Sequence, residues 1–258
     1  MKFIKTILFL LFLGLFFQTV CLAQEVSFIH ITDINLDKSN APKVLQTIRE
    51  INTYEDVDFV VFGGDNIAKA DIDNLDMFLY ILSQVKKKCI VLLGSNDVST
   101  TSEIDKEYYL KRVWFVRKTK HSKKPNYTFK CKDVVFVVMD GSKQYFPGTN
   151  GCYTTKELKW LDETLTKYKN DDVIILQHFP LLDTKSKWLK TAKIENYQEV
   201  LKKHNNVRMI VSGHYGPDIE KKTDGIYHIV TESYSKNGAY EIIQVNFKDD
   251  FVGTYLVK

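Results

Sequence analysis

The chain has 258 residues, 44% of them hydrophobic and 26% charged, enough apolar material for one globular domain with a substantial core and far from the composition of a disordered chain. Its 36 lysines and arginines stand against 32 acidic residues, a formal charge of +4, and no basic stripe interleaves with the aromatic residues, so nucleic-acid binding is not expected. Four cysteines without a CxxC pair argue against a thiolate metal site.

Lys2 and Lys5 open the chain, 6–20 is almost wholly apolar, and Cys21-Leu22-Ala23 places small residues before Gln24. That is the pattern of a secretory signal over 1–23. The apolar stretch falls short of the roughly 20 residues of a spanning helix, and bulky Val20 argues against a lipoprotein site at Cys21. Cleavage after Ala23 removes two of the 36 basic residues and leaves 34 against 32 acidic ones, a formal +2. The expectation is a single domain over 24–258, secreted or periplasmic, without membrane contact after cleavage. Cys89, Cys131 and Cys152 would remain, an odd set that allows at most one internal disulfide. Cys89, at the start of an apolar strand, reads as a buried thiol. Nothing in the sequence fixes an oligomeric state.

Strand and helix signals then alternate. An apolar run ending at Ile31 leads to Asp33-Ile34-Asn35, and 42–51 carries Val44, Leu45, Ile48 and Ile51 at helical spacing behind Pro42, a residue suited to a first helical turn. The run 59–62 leads to Gly63-Gly64-Asp65-Asn66, followed by a helix over 75–85 with Leu75, Phe78, Leu79, Leu82 and Val85 on one face. A third run, 90–93, leads to Gly94-Ser95-Asn96-Asp97. This βαβαβ order predicts a parallel sheet. A hairpin follows over 127–139 with its turn at Lys132-Asp133. The next helix, 154–168, opens on a capping box with Thr154 as cap. A strand to His178, a helix over 194–204 and a strand to His214 complete the alternation, and the tail reads as all β: 226–231, 239–247 and 251–257. Loops over 95–104, 141–152 and 181–193 are long enough to wall a site.

Five strands therefore end in small and metal-competent residues. In open α/β sheets the ligand site lies beyond the carboxyl ends of the strands, so these ends can converge. Asp33 and Asp65 with His178 and His214 make a mixed oxygen and nitrogen set that suits Zn, Fe or Mn. Such an ion polarises a phosphoryl oxygen and brings a coordinated water toward neutral pKa. His30, His121, His204 and His228 have no motif around them and read as structural or surface, whereas Tyr145, Phe146 and Tyr215 could line a cleft.

In order, Asp33-Ile34-Asn35, Gly64-Asp65, Gly94-Ser95-Asn96-Asp97, Gln177-His178 and Gly213-His214-Tyr215-Gly216 resemble the D-x-H, G-D, G-N-H-D/E, H and G-H-x-H motifs of the calcineurin-like metallophosphoesterases. The first strand and helix, the hairpin before Asp140-Gly141 and 158–165 with its Trp-Leu pair resemble the class that includes cyclic-nucleotide phosphodiesterases and secreted phosphatases. The resemblance implies an αββα four-layer sandwich of two mixed sheets flanked by helices, and a two-metal site in which a bridging hydroxide attacks phosphorus in line. It implies that Asp33 binds the first metal, Asp65 bridges both, and His178 and His214 bind the second. Four positions depart from the pattern. Asn35 stands where the family has a metal-binding His, Ser95 where it has a metal-binding Asn, Asn96 where it has the His that assists catalysis, and Gly216 where it has the last metal-binding His.

The expected metal positions are Asp33, Asn35, Asp65, His178 and His214, with Asn96 and Asp97 at the catalytic position. A one-residue shift of the third motif would make Asn96 the ligand and put Asp97 in the place of the catalytic His. With Asn35 a weak ligand and Gly216 none, the centre reads as one divalent ion (Mn, Zn or Fe) rather than two. Two functions follow. One is a secreted phosphoesterase with attenuated activity on a phosphate mono- or diester. The other is a catalytically inactive relative that binds a phosphorylated ligand or a protein partner.

Overall fold

A computed structural model describes residues 25–99, 101–117, 124–143, 148–186 and 189–258. The expected signal segment 1–23 and the residues His121, Tyr145 and Phe146 lie outside the described residues.

The first sheet contains β1 (Val26–Ile31), β2 (Phe59–Phe62), β3 (Lys88–Val91), β10 (Tyr240–Asn246) and β11 (Phe251–Val257) in the order β11-β10-β1-β2-β3. Strands β1, β2 and β3 run parallel, while β10 and β11 form an antiparallel hairpin added at β1. The second sheet contains β4 (Tyr127–Cys131), β5 (Val134–Met139), β6 (Asp172–Gln177), β7 (Val207–Ser212), β8 (Ile219–Thr223) and β9 (Ile226–Val230), ordered β4-β5-β6-β7-β9-β8. Its four central strands are parallel and its two edges are antiparallel hairpins.

Three apolar cores separate four layers. Helices α1 (Ala41–Ile51), α2 (Ile72–Gln84) and α3 (Lys106–Arg117) cover one face of the first sheet through Ile29, Ile31, Val60 and Phe62. The opposite faces of the same strands, Phe28, Phe59 and Val61, meet Phe129, Phe136, Ile174 and Met209 of the second sheet. Helices α4 (Thr155–Lys167) and α5 (Ile194–Leu201) close the outer face of that sheet. Strands buried on both faces have no polar side to show, which is why β2 and β5 read as continuous apolar runs. This is the expected αββα sandwich.

Local signals account for most element ends. Pro42 stands in the first turn of α1. Thr154 caps α4, its hydroxyl accepting from the Glu157 N–H while the Glu157 carboxylate accepts from the Thr154 N–H. Asp71 caps α2 by accepting from the Asn74 N–H at 2.9 Å, so that helix starts a turn before the apolar face that reveals it. Helix α5 ends at Leu201, short of the expected 204.

Three elements were not expected. Helix α3 buries Tyr109, Leu110 and Val113 but leaves Phe115 74% exposed, so its apolar residues do not mark one face. Strand β8 is a polar edge strand, Ile-Glu-Lys-Lys-Thr. The tail is not wholly β, because the helical turn α6 (Tyr234–Asn237) interrupts it, closed by Gly238 in the left-handed region. Cys89, Cys131 and Cys152 are all free thiols, and Cys89 is buried as expected.

Candidate metal centre

The parallel strands of both sheets end at one edge of the sandwich, and the chain there is tied by backbone hydrogen bonds. Asp33 N–H donates to Gly64 O, Asn35 N–H to Asp65 O and Gly213 N–H to His178 O. Three residues that follow strands turn sharply. Asp33, Asp65 and His214 have φ of 54°, 48° and 68°, a region that costs a residue with a Cβ about 1–2 kcal/mol. Gly64 (φ 95°) makes the same turn without that cost and brings Asp65 beside His178.

These turns bring Asp33, Asp65, His178 and His214 together. One ligand atom from each lies within 4.8 Å of the others, and all four residues are buried. Asp33 and Asp65 come from the first sheet, His178 and His214 from the second. His178 Nδ1 donates to Gly63 O at 2.8 Å, which fixes the tautomer and leaves Nε2 facing Asp65 Oδ2 at 3.4 Å. The His214 ring hydrogen-bonds the Thr149 backbone. Nε2 of both imidazoles is buried and has no hydrogen-bond partner.

The carboxylates are oriented as carefully. Asp33 Oδ2 accepts from Thr32 Oγ1 and from His214 N–H, each at 2.9 Å. Asp65 Oδ1 accepts from Asn96 N–H at 2.8 Å, and Ser95 Oγ reaches both Asp65 oxygens at 3.2 Å. Ser95 therefore orients the carboxylate through its hydroxyl.

The charge balance calls for a cation. Burial raises the Asp33 pKa and outweighs the attraction of His178. Burial would raise Asp65 too, but His178 and the Asn96 N–H hold it down to about 2. Burial would lower His178, yet Asp65 and Asp33 pull it up to about 9. Burial and the neighbouring His178 press His214 down to about 3. The attraction between His178 and the two neighbouring acids marks a site that favours positive charge, which a divalent ion can supply. Two carboxylates and two unpartnered imidazole nitrogens fit such an ion.

The other expected positions are placed differently. Asn35 adjoins the group, but its amide donates to Asp33 O at 3.1 Å and Ser235 Oγ at 3.3 Å, while its Oδ1 accepts from Asn96 Nδ2 at 2.9 Å. Asn96 stands with Asn35, its backbone on Asp65. Asp97 is fully buried apart from the group. Its carboxylate accepts from the N–H groups of Asn66, Ile67 and Gly94 and from Asn66 Nδ2, binding the loop after β2 to the loop after β3. Tyr215 is directed away, its hydroxyl donating to Leu182 O.

Thr32, Gly63, Ser95, Thr149 and Ser235 were not anticipated as supports of the site. Gly63 belongs to a strand-end motif read for its backbone, and Thr32 adjoins another. Thr149 and Ser235 arrive from distant loops and carry no local signal.

The calcineurin-like phosphoesterase model matches residues 26–216, which includes all four of these side chains. The chain belongs to the calcineurin-like phosphoesterase family. A "Probable cyclic nucleotide phosphodiesterase" of Moraxella catarrhalis (strain BBH18) is 26% identical over 203 residues, 74% of this chain and 69% of the relative. Among solved structures, a dimetal phosphatase from Danio rerio superposes with a TM-score of 0.66 at 15% identity, covering 90% of this chain and 98% of that chain. GAP50, the anchor in the inner membrane complex of Plasmodium, superposes with a TM-score of 0.63 at 12% identity, covering 91% and 84%. Both solved structures share the fold of this calcineurin-like phosphoesterase.

Proposed function

We propose that the protein is a metal-dependent phosphoesterase of attenuated activity that hydrolyses a phosphate mono- or diester with one divalent ion, Mn, Zn or Fe. The observation that carries this reading is the convergence of one ligand atom each from Asp33, Asp65, His178 and His214 within 4.8 Å, with Nε2 of both imidazoles buried and without a hydrogen-bond partner. When bound there, the ion would polarise the phosphoryl oxygen and make a coordinated water more acidic.

The chain's own residues would set the rest. Thr32, Ser95 and the Asn96 N–H hold the carboxylates in orientation. Gly63 O holds the proton on His178 Nδ1, so Nε2 keeps its lone pair for the ion. Asn96 can donate a hydrogen bond to a phosphoryl oxygen but cannot deliver a proton to a leaving group, which is the reason to expect slow turnover. Asp97 is assigned to loop architecture, since both its oxygens are committed to neighbouring N–H groups. Asn35 is assigned to the amide chain Asn96–Asn35–Ser235.

A second reading is favoured by that same amide chain. It occupies the side of the site where a second ion would need ligands, and GAP50, of the same fold, is described as an anchor. In this reading the protein binds a phosphorylated ligand or a protein partner without turnover. The leader pattern over 1–23 supports a secreted or periplasmic location for either form. Among the described residues no helix is long and apolar enough to cross a membrane.

Metal content of protein purified without chelator, together with turnover of a generic phosphodiester in Mn or Zn, separates the two. The enzyme reading expects bound metal, and turnover that falls about 100-fold or more in Asp65→Ala and His178→Ala. Protein with neither metal nor turnover would reject it.

A further inference from the structure

Against the loop that follows β7, one charged group remains without a role. Gly216 follows His214 by two residues and has φ of 92°. A Cβ built on Gly216 would lie 2.5 Å from Lys236 Nζ and 3.1 Å from Lys236 Cε. The Lys236 ammonium therefore stands in the space a side chain at 216 would enter.

The turn that carries Lys236 is fastened to the site. Ser233 N–H donates to Gly216 O at 3.0 Å, Tyr234 N–H to Thr32 O at 3.0 Å, and Ser235 N–H to Asp33 O at 3.1 Å. Asn35 Nδ2 adds a side-chain bond to Ser235 Oγ. Lys236 thus rides on a segment held by the backbone of one proposed ligand and of its neighbour. Its ammonium makes no ion pair among the described residues. The carboxylate nearest in sequence, Glu232, is engaged directly by Lys258 at 2.8 Å and by Asn237 at 3.0 Å, and feels Lys236 only as a more distant charge.

Charge counting gives that ammonium a purpose. One divalent ion neutralises the two carboxylates of Asp33 and Asp65 and leaves nothing for the negative charge of an arriving phosphate. A site with a second ion would meet that charge with metal. Here the neutral amides of Asn35 and Asn96 fill one side of the site, and the turn that Asn35 holds through Ser235 carries the cation Lys236 to Gly216. We propose that Lys236 binds the phosphate group at this centre, its ammonium serving in place of a second metal ion. The proposal rests on the phosphoesterase reading, and it makes Lys236 a residue that touches substrate rather than one that supports the fold.

The test is calorimetric titration of inorganic phosphate into the Mn-loaded wild-type protein and its Lys236→Gln and Lys236→Arg variants, with Mn content measured on each. The expected result is one Mn per chain throughout, a phosphate affinity about tenfold weaker in Lys236→Gln, as for loss of one charge-assisted contact, and recovery to within about threefold of wild type in Lys236→Arg. If Lys236→Gln binds phosphate as wild type does, with Mn in place, the proposal fails and the metal site stands. If Lys236→Arg is as weak as Lys236→Gln, charge is not what the position supplies and the proposal also fails. Wild-type protein that takes up no Mn overturns the reading of the site and this proposal with it.

Discussion

Gly94 shows how little room the centre leaves at single positions. A Cβ there would lie 2.1 Å from Asp65 N and 2.2 Å from Asp65 Oδ1, and a backbone atom cannot move aside as a flexible side chain can. Gly94→Ala is therefore expected to displace Asp65, abolishing stoichiometric Mn binding while costing about 1–3 kcal/mol of stability. Metal analysis and urea unfolding of the same preparation check both halves. Retained stoichiometry would show that the loop yields. Asp33, Asp65, His178 and His214 were legible from the sequence because each ends an apolar run, a pattern contained in a few residues. Asp97 was misleading for the same reason. It sits in the motif, but only the folded chain shows its oxygens turned toward Asn66, Ile67 and Gly94. Lys236 and Ser235 could not have been found at all, since about two hundred residues separate them from Asp33 and Asn35.

At the scale of elements, the parts carrying their own signals were those read correctly. Thr154 and Glu157 announce α4, and removing the cap with Thr154→Ala is expected to cost about 1 kcal/mol in chemical denaturation. The aromatic ladder between the sheets carries far more. Phe136 stacks on Phe129 at 4.9 Å and meets Phe28 and Phe59 edge-on at 5.6 and 5.1 Å, so Phe136→Ala is expected to cost about 3–5 kcal/mol. A loss no larger than that of the cap would mean that the two sheets repack. The elements that escaped the sequence share the opposite property. Helix α3 mixes buried Tyr109 with exposed Phe115, β8 is a polar edge paired only with β9, and α6 is four residues long. Their conformation comes from what they pack against, and a local window contains none of that information.

The whole molecule is joined by a buried polar chain as well as by apolar layers. Thr231, at the end of β9, donates to Glu241 Oε2 on β10 at 2.6 Å, and its hydroxyl meets His30 Nδ1 on β1 at 2.7 Å. Burial raises the Glu241 carboxyl from 4.5 to about 7 and lowers His30 from 6.5 to about 3. The two act on opposite flanks of the pH range. The stabilisation from Glu241 is complete below 4.5 and is lost as pH rises through about 7. That from neutral His30 is complete above 6.5 and is lost as pH falls through about 3. Glu241→Gln removes the first dependence, so the variant is expected to gain on wild type by up to about 3 kcal/mol between pH 4.5 and 7.5 in urea unfolding. A difference constant over that range would show that Glu241 does not titrate in the folded protein.

Two candidate ligands from each sheet meet at one edge, and this has a mechanical consequence. The hydrophobic drive between the sheets is nondirectional, whereas Asp33 and Asp65 on one side and His178 and His214 on the other cannot share an ion unless the sheets are in register. An ion at that edge is a clasp. At a hundredfold excess over its dissociation constant it adds about 2.7 kcal/mol to global stability. The slowing of amide hydrogen exchange it brings is expected in both sheets together, including strands β5 and β10 that contribute no ligand. Slowing confined to the loops would mean that the sheets are held without it.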